Sequence, residues 1–170
     1  HRSMFLKNLN IPEEYHHKAI RSGQPHELIV DSLTQYQSTD KQDTVMWPHR
    51  YNADKQPEIA EALSDTFDII ITQKMKLDKA DYYAKMGQSK LIFSCALHEN
   101  LGISVMEAVL TGAVPVVPDR CSYSEMYLPE FKYPSEWTED YAAFVYYRND
   151  LVNFIQDKLD NFETYQQLIK

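Results

Sequence analysis

"KLIFSCALHENLGISVMEAVLTGAVPVVP", residues 90–118, decides the fold. Lys90–Ala96 has the length and apolar content of a buried strand. "GISVMEAVLTG" predicts a helix, closed by Gly112 as a natural C-terminal cap. Ala113–Pro118 is again a short β-branched run. Strand, helix and strand in this order make a βαβ unit, which pairs its two strands in parallel. Within the unit two glutamates, Glu99 and Glu107, sit eight positions apart in a segment that otherwise belongs to a core.

The same alternation extends upstream. "TVMWPHR" (44–50) predicts a short strand that meets Pro48. "ADKQPEIAEALSDTF" places Ile59, Ala60, Leu63 and Phe67 at helical spacing. "FDIIIT" (67–72) predicts a buried strand, and "DKADYYAKMGQSK" a helix ending near Gly87. After Pro118 come a turn, a short helix "SYSEMY", a Pro-bearing loop and a long amphipathic helix from about Asp150. The fold class is therefore α/β, a Rossmann-like parallel sheet with helices on both faces. Residues 1–42 predict an N-terminal arm, with a short helix "EEYHHKAIRS" and a polar, turn-rich linker. Residues 43–135 form the sheet domain, and 136–170 supply C-terminal helices that pack on it.

Composition sets outer limits. The chain has 170 residues, 44% hydrophobic and 25% charged, enough for one domain with its own core. A net charge of -8 argues against a dedicated binder of the phosphate backbone, so the aromatics are assigned to core and rim. Cys95 and Cys121 lack metal-ligand spacing and read as reduced thiols, which points to the cytoplasm. Neither a signal peptide nor a membrane span is predicted. The opening His1–Arg2 reads as a piece of a longer protein.

In open parallel sheets, ligands bind outside the carboxyl ends of the strands. Three loops leave those ends, around His49–Lys55, Ala96–Gly102 and Pro118–Ser124. A carboxylate at Glu107 can accept two hydrogen bonds from a vicinal diol such as a ribose. The helix N-terminus at Gly102, Ile103 and Ser104 offers unpaired N–H groups to a phosphate, and Gly102 has no side chain to block it. Glu99 would face whatever hangs off the second phosphate. The plainer alternative is that acids in the first turns of a helix merely answer its dipole.

These residues carry a resemblance. Glu99, Leu101–Gly102, Glu107–Ala108, Gly112 and Pro115–Val117 resemble the E-x7-E segment of retaining glycosyltransferases of the GT-B fold, family 4 type. Arg50 and Lys55 in "HRYNADKQPE" have the family's five-residue Arg–Lys spacing. With "CSYSEMYLPE", the pattern is most similar to the branch containing the tRNA-queuosine mannosyltransferase-like proteins, over about residues 43–130.

The resemblance implies the donor-binding half of a two-domain enzyme. Arg50 and Lys55 would bind the donor diphosphate and stabilise its departure, and Glu107 would hold the ribose. Glu99 would contact the transferred sugar, with the Gly102–Ser104 amides completing the phosphate cradle and Glu125 nearby. His98, by its place beside Glu99, reads either as a contact to donor phosphate or sugar or as a hydrogen-bonded structural residue. Glu99, Arg50 and Lys55 are the catalytic candidates. No metal and no cofactor is implied; the substrate would be a GDP- or UDP-linked sugar. The partners implied are an N-terminal GT-B domain and a glycosyl acceptor, a tRNA or another molecule. Leu101 replaces the family's aromatic, and the span from Thr72 to Lys90 is short for the fold. Other classes stay open: a sugar-nucleotide epimerase, a non-catalytic nucleotide-sugar-binding module and a bare interaction domain.

Among the remaining residues, His49 reads as structural, Cys95 as buried and inert, and the C-terminal helix as core.

Overall fold

A computed structural model describes residues 7, 10–18 and 26–169. Its sheet contains β1 (Gln42–Trp47), β2 (Asp68–Ile71), β3 (Ser89–Phe93), β4 (Val114–Pro118) and β5 (Lys132–Tyr133). The spatial order is β2-β1-β3-β4-β5, and every pairing is parallel. The chain is thus an α/β, Rossmann-like domain, with helices α1 (His26–Leu33), α2 (Pro57–Leu63), α3 (Thr72–Met75), α4 (Lys79–Gln88), α5 (Ile103–Leu110), α6 (Tyr123–Met126), α7 (Tyr141–Asp160) and α8 (Phe162–Gln167).

A parallel sheet covered on both faces needs apolar side chains in both directions, which is why its strands read as continuous hydrophobic runs. The alternation is visible residue by residue. Val45, Trp47, Leu91, Phe93, Val114 and Val116 point to one face, where they meet Ile59 and Leu63 of α2 and Leu151, Ile155 and Leu159 of α7. Met46, Ile92 and Val117 point to the other, against Met86 of α4, Val105 and Ala108 of α5 and Tyr123 of α6.

Helix ends follow local chemistry. Asp78 caps α4 by accepting the Asp81 N–H (2.9 Å), and Asp140 caps α7 by accepting the Ala143 N–H (2.7 Å). Gly112 closes α5 with φ +87°. Its N–H donates to the Val109 carbonyl while the Ala113 N–H reaches back to the Ala108 carbonyl, both at 2.9 Å. This is a Schellman closure, and the left-handed residue it needs is the glycine. The next carbonyls are taken by side chains from distant segments. Gln37 donates to Leu110, Lys41 to Thr111 and Gln166 to Gly112, at 2.8, 2.9 and 3.0 Å. Burial pushes the Lys41 ammonium down to about 8.

Parts of the sequence reading are adjusted. Thr72, read as the end of a strand, begins α3. The long C-terminal helix begins at Tyr141, not near Asp150. Its first turns carry exposed Tyr141, Val145 and Tyr146, which blur the amphipathic period. β5 lies in the stretch read as a Pro-bearing loop, and two residues are too few to show a period. The linker contains α1, anchored by a buried Leu33. Of the predicted "EEYHHKAIRS" helix, Glu13–Lys18 is a 3-10 helix and the remainder lies outside the described residues. Between β2 and β3 the described chain holds only α3 and α4, as the short spacing suggested.

The arm is seated by one close approach. A Cβ built on Gly87 would lie 1.8 Å from the carbonyl oxygen of Tyr36. Replacing a helical glycine with alanine ordinarily gains about 1 kcal/mol in helix propensity. Here a backbone atom blocks the site and overpacking costs typically 1–3 kcal/mol or more. Gly87→Ala is therefore expected to lower the melting temperature by roughly 2–8 °C. A melting temperature at or above wild type would show that the arm steps aside freely.

Candidate functional site

The strand order reverses between β1 and β3: from β1 the chain goes outward to β2, then crosses back to β3 on the other side. The crevice beyond the carboxyl ends of two such strands is where open α/β sheets place ligands. The two loops that meet there carry Arg50 and Lys55 after β1, and His98 and Glu99 after β3.

The loops are tied together by backbone and by charge. The Leu97 N–H donates to the Asp54 carbonyl at 2.8 Å. Lys55 donates to the carbonyl of His98. Its ammonium also lies 3.3 Å from Glu99 Oε2 and 3.2 Å from Asp54 Oδ2, with only 12% of its side chain exposed. Glu99 faces the other way too. Its Oε1 accepts the N–H groups of Gly102 (3.0 Å) and Asn100 (3.2 Å). Burial would raise the Glu99 carboxyl, but the Gly102 N–H and the Lys55 charge outweigh it and hold it below its ordinary value.

Gly102 supplies the turn into α5. It is left-handed, with φ +59° and ψ +43°. A Cβ there would meet the Tyr123 ring at 2.6 Å, so the position excludes a side chain on two counts. The first helical hydrogen bond of α5 runs from the Met106 N–H to the Gly102 carbonyl (2.9 Å). Helix geometry therefore leaves the N–H groups of Ile103, Ser104 and Val105 without intrahelical acceptors. The Gly102 N–H itself is engaged by Glu99.

Beneath this rim lies a buried polar layer. His49 Nε2 and Ser94 Oγ are 2.8 Å apart, and the Tyr123 hydroxyl donates to the same Ser94 oxygen at 3.2 Å. Burial first, then the Lys55 charge, pushes the His49 imidazole down to about 4, against the opposing pull of Glu99 and Asp54. Neutral His49 thus serves as a structural floor. Cys95, fully buried, has its thiol pushed up to about 12 by desolvation, which removes it as a nucleophile.

The other candidate residues are spread around this centre. Arg50 is exposed, and among the described residues its guanidinium makes no ion pair. His98 is exposed and contributes its carbonyl to Lys55. Glu107 is half-buried on α5, about 6 Å along the helix from Ile103, and accepts the Tyr83 hydroxyl at 2.8 Å. Glu125 is exposed on α6. The loop that leads to it is joined to the centre by the Ser122 N–H, which donates to the Glu99 carbonyl at 3.4 Å. The structure therefore brings Lys55, Glu99, Gly102 and His98 together, with Glu107 one turn further along α5 against Tyr83. Asp54, Ser94, Tyr83 and Tyr123 also build the site, and sequence reasoning did not single them out. Asp54 and Tyr123 lay inside the quoted "HRYNADKQPE" and "CSYSEMYLPE" stretches, without a role of their own.

Among the described residues no group of three or more His, Cys, Asp or Glu side chains is placed to hold a metal ion. No described helix is long and apolar enough to cross a membrane.

No protein-family model matches the chain. One curated relative is the tRNA-queuosine alpha-mannosyltransferase of Drosophila melanogaster, 23% identical over an alignment of 119 residues. The similarity is to a glycosyltransferase. It takes in 52% of this chain and 32% of that protein, so the match spans about a third of the relative's length.

The buried histidine makes stability pH-dependent. The unfolded chain binds a proton at His49 near pH 6.5, whereas the folded state resists it until about pH 4. Protons in that window favour unfolding, so stability falls as pH drops from 6.5 to 4. The full span corresponds to about 3 kcal/mol. In His49→Asn this part of the acid destabilisation should disappear, as read by denaturant melts across the window. An unchanged pH profile would mean that His49 is protonated in the folded state.

Proposed function

We propose that this chain is the donor-binding domain of a retaining glycosyltransferase, which moves a sugar from a nucleoside-diphosphate sugar to an acceptor. The observation that carries the reading is the Lys55–Glu99 pair, held at the switch point beside the N-terminus of α5. The distant similarity to a mannosyltransferase supports it.

In this reading each part of the crevice has a task. Departure of a nucleoside diphosphate builds negative charge, and fixed cations and amide dipoles stabilise that charge without reorganising. Lys55 is preorganised for the role by its carboxylate neighbours, and exposed Arg50 is the second cation. The N–H groups of Ile103 and Ser104 face the phosphates; the Gly102 amide instead fixes Glu99. Glu99, kept ionised, accepts hydrogen bonds from hydroxyls of the transferred sugar. Glu107 accepts from the ribose diol, and His98 and Glu125 border the donor.

The acceptor, a tRNA or another molecule, would be held by an N-terminal GT-B domain outside these residues. Closure of that domain would exclude water and bring the acceptor oxygen within about 3–3.5 Å of the anomeric carbon. Resemblance to the mannosyltransferase branch favours GDP-mannose as donor. The second reading is a nucleotide-sugar-binding module without transfer, favoured by the neutralisation of Lys55 by two carboxylates.

Calorimetry with GDP, UDP and their sugars tests both. A charge-assisted hydrogen bond is worth about 1.5–3 kcal/mol, so Glu107→Gln should weaken nucleotide binding by about 10- to 100-fold. Arg50→Ala and Lys55→Ala should each weaken the diphosphate, and added salt should weaken wild-type binding. A nucleoside that binds as tightly as its diphosphate would remove the phosphate clamp. Donor binding without turnover by a chain that includes the N-terminal domain would select the module.

A further inference from the structure

We propose that Tyr83 is a positioning residue for this site: its hydroxyl orients the Glu107 carboxylate toward a vicinal diol, an assignment that rests on the nucleotide reading above. A carboxylate on a half-buried helical Glu can rotate about its last bond and present either oxygen. The Tyr83 hydroxyl donates to Glu107 Oε1 at 2.8 Å, which fixes that rotation and leaves Oε2 as the acceptor for a ligand. A diol needs such an aimed acceptor, because its two hydroxyls are fixed relative to each other by the ring.

The phenol is itself held on three sides. The Tyr36 ring lies 5.4 Å from it at 41°, and the Tyr82 ring 5.3 Å away at 65°. The Lys79 ammonium sits 5.7 Å from its centroid. Tyr36 is in turn locked in place where its carbonyl seats on Gly87, one turn along α4 from Tyr83. Burial and the Glu107 charge push the phenol up to about 12, so it stays a donor throughout the neutral range. Tyr83 and Glu107 both retain partial exposure.

The test is Tyr83→Phe, read by calorimetry with GDP and UDP and with their 2′-deoxy forms. Wild type should prefer the ribonucleotide over its 2′-deoxy form by about tenfold, the scale of one hydrogen bond to a charged group. Tyr83→Phe should bring that preference to within about twofold, chiefly by weakening the ribonucleotide, with the 2′-deoxy form little changed. In a Glu107→Gln background the same change should add nothing, since the two residues act as a unit. A parallel fall for both nucleotides would assign Tyr83 to packing and overturn the proposal, as would a retained preference. If wild type binds both forms equally, Glu107 does not read the diol and this assignment falls while phosphate binding stands. If wild type binds neither GDP nor UDP, the nucleotide reading falls and takes this assignment with it.

Discussion

The Glu99 carboxylate is the joint on which the crevice depends. One oxygen holds the Gly102 amide, and the other meets the Lys55 ammonium. Through those contacts one side chain joins the loop after β1, the loop after β3 and the first turn of α5. The geometry requires a left-handed residue at Gly102 and the Tyr123 ring beneath it. That ring is held by Ser94, which also meets His49. A carboxylate within an apolar segment is therefore satisfied locally by an amide and a cation, as a partly buried charge must be. Glu107 is satisfied separately, by a phenol.

Sheet topology explains why this joint lies where it does. β1 and β3 are neighbours in space, yet the chain visits β2 between them. Their outgoing loops are therefore neighbours at the sheet edge, joined by the Leu97 N–H and by Lys55. α2 packs on one face while α4 and α5 pack on the other, so both faces of the sheet are occupied. The Lys55–Glu99 pair sits at the remaining side, on the loops that leave the strand ends.

Much of the architecture was legible in the sequence because β-branched runs and Gly112 mark it locally. The four longer strands and α2, α4 and α5 between them follow from apolar spacing over several residues, whereas the four-residue α3 is too short to show a period. β5 escaped because its two residues carry no period, and the start of α7 because its first turns expose aromatics. At the site, Lys55 and Glu99 were visible through their positions on loops. Their direct pairing was not, since it joins residues 44 positions apart. Tyr83 and Tyr123 escaped for a related reason: a tyrosine's hydroxyl partner is set by tertiary packing, while its ring alone already accounts for its place in a pattern. The occupation of the Gly102 amide by Glu99 was likewise beyond sequence reasoning, because both its partners had been assigned to a ligand.

The grip on the far end of α5 has a mechanical consequence. Three side chains hold its last carbonyls, one from the arm, one from the approach to β1 and one from α8, while Glu99 fixes its entry. A helix held at both ends breaks those hydrogen bonds if it slides along its own axis. Any force exerted at its first turn is passed to the segments that flank the sheet in sequence. A push on the first turn of α5 would then move the helix and these segments as one body.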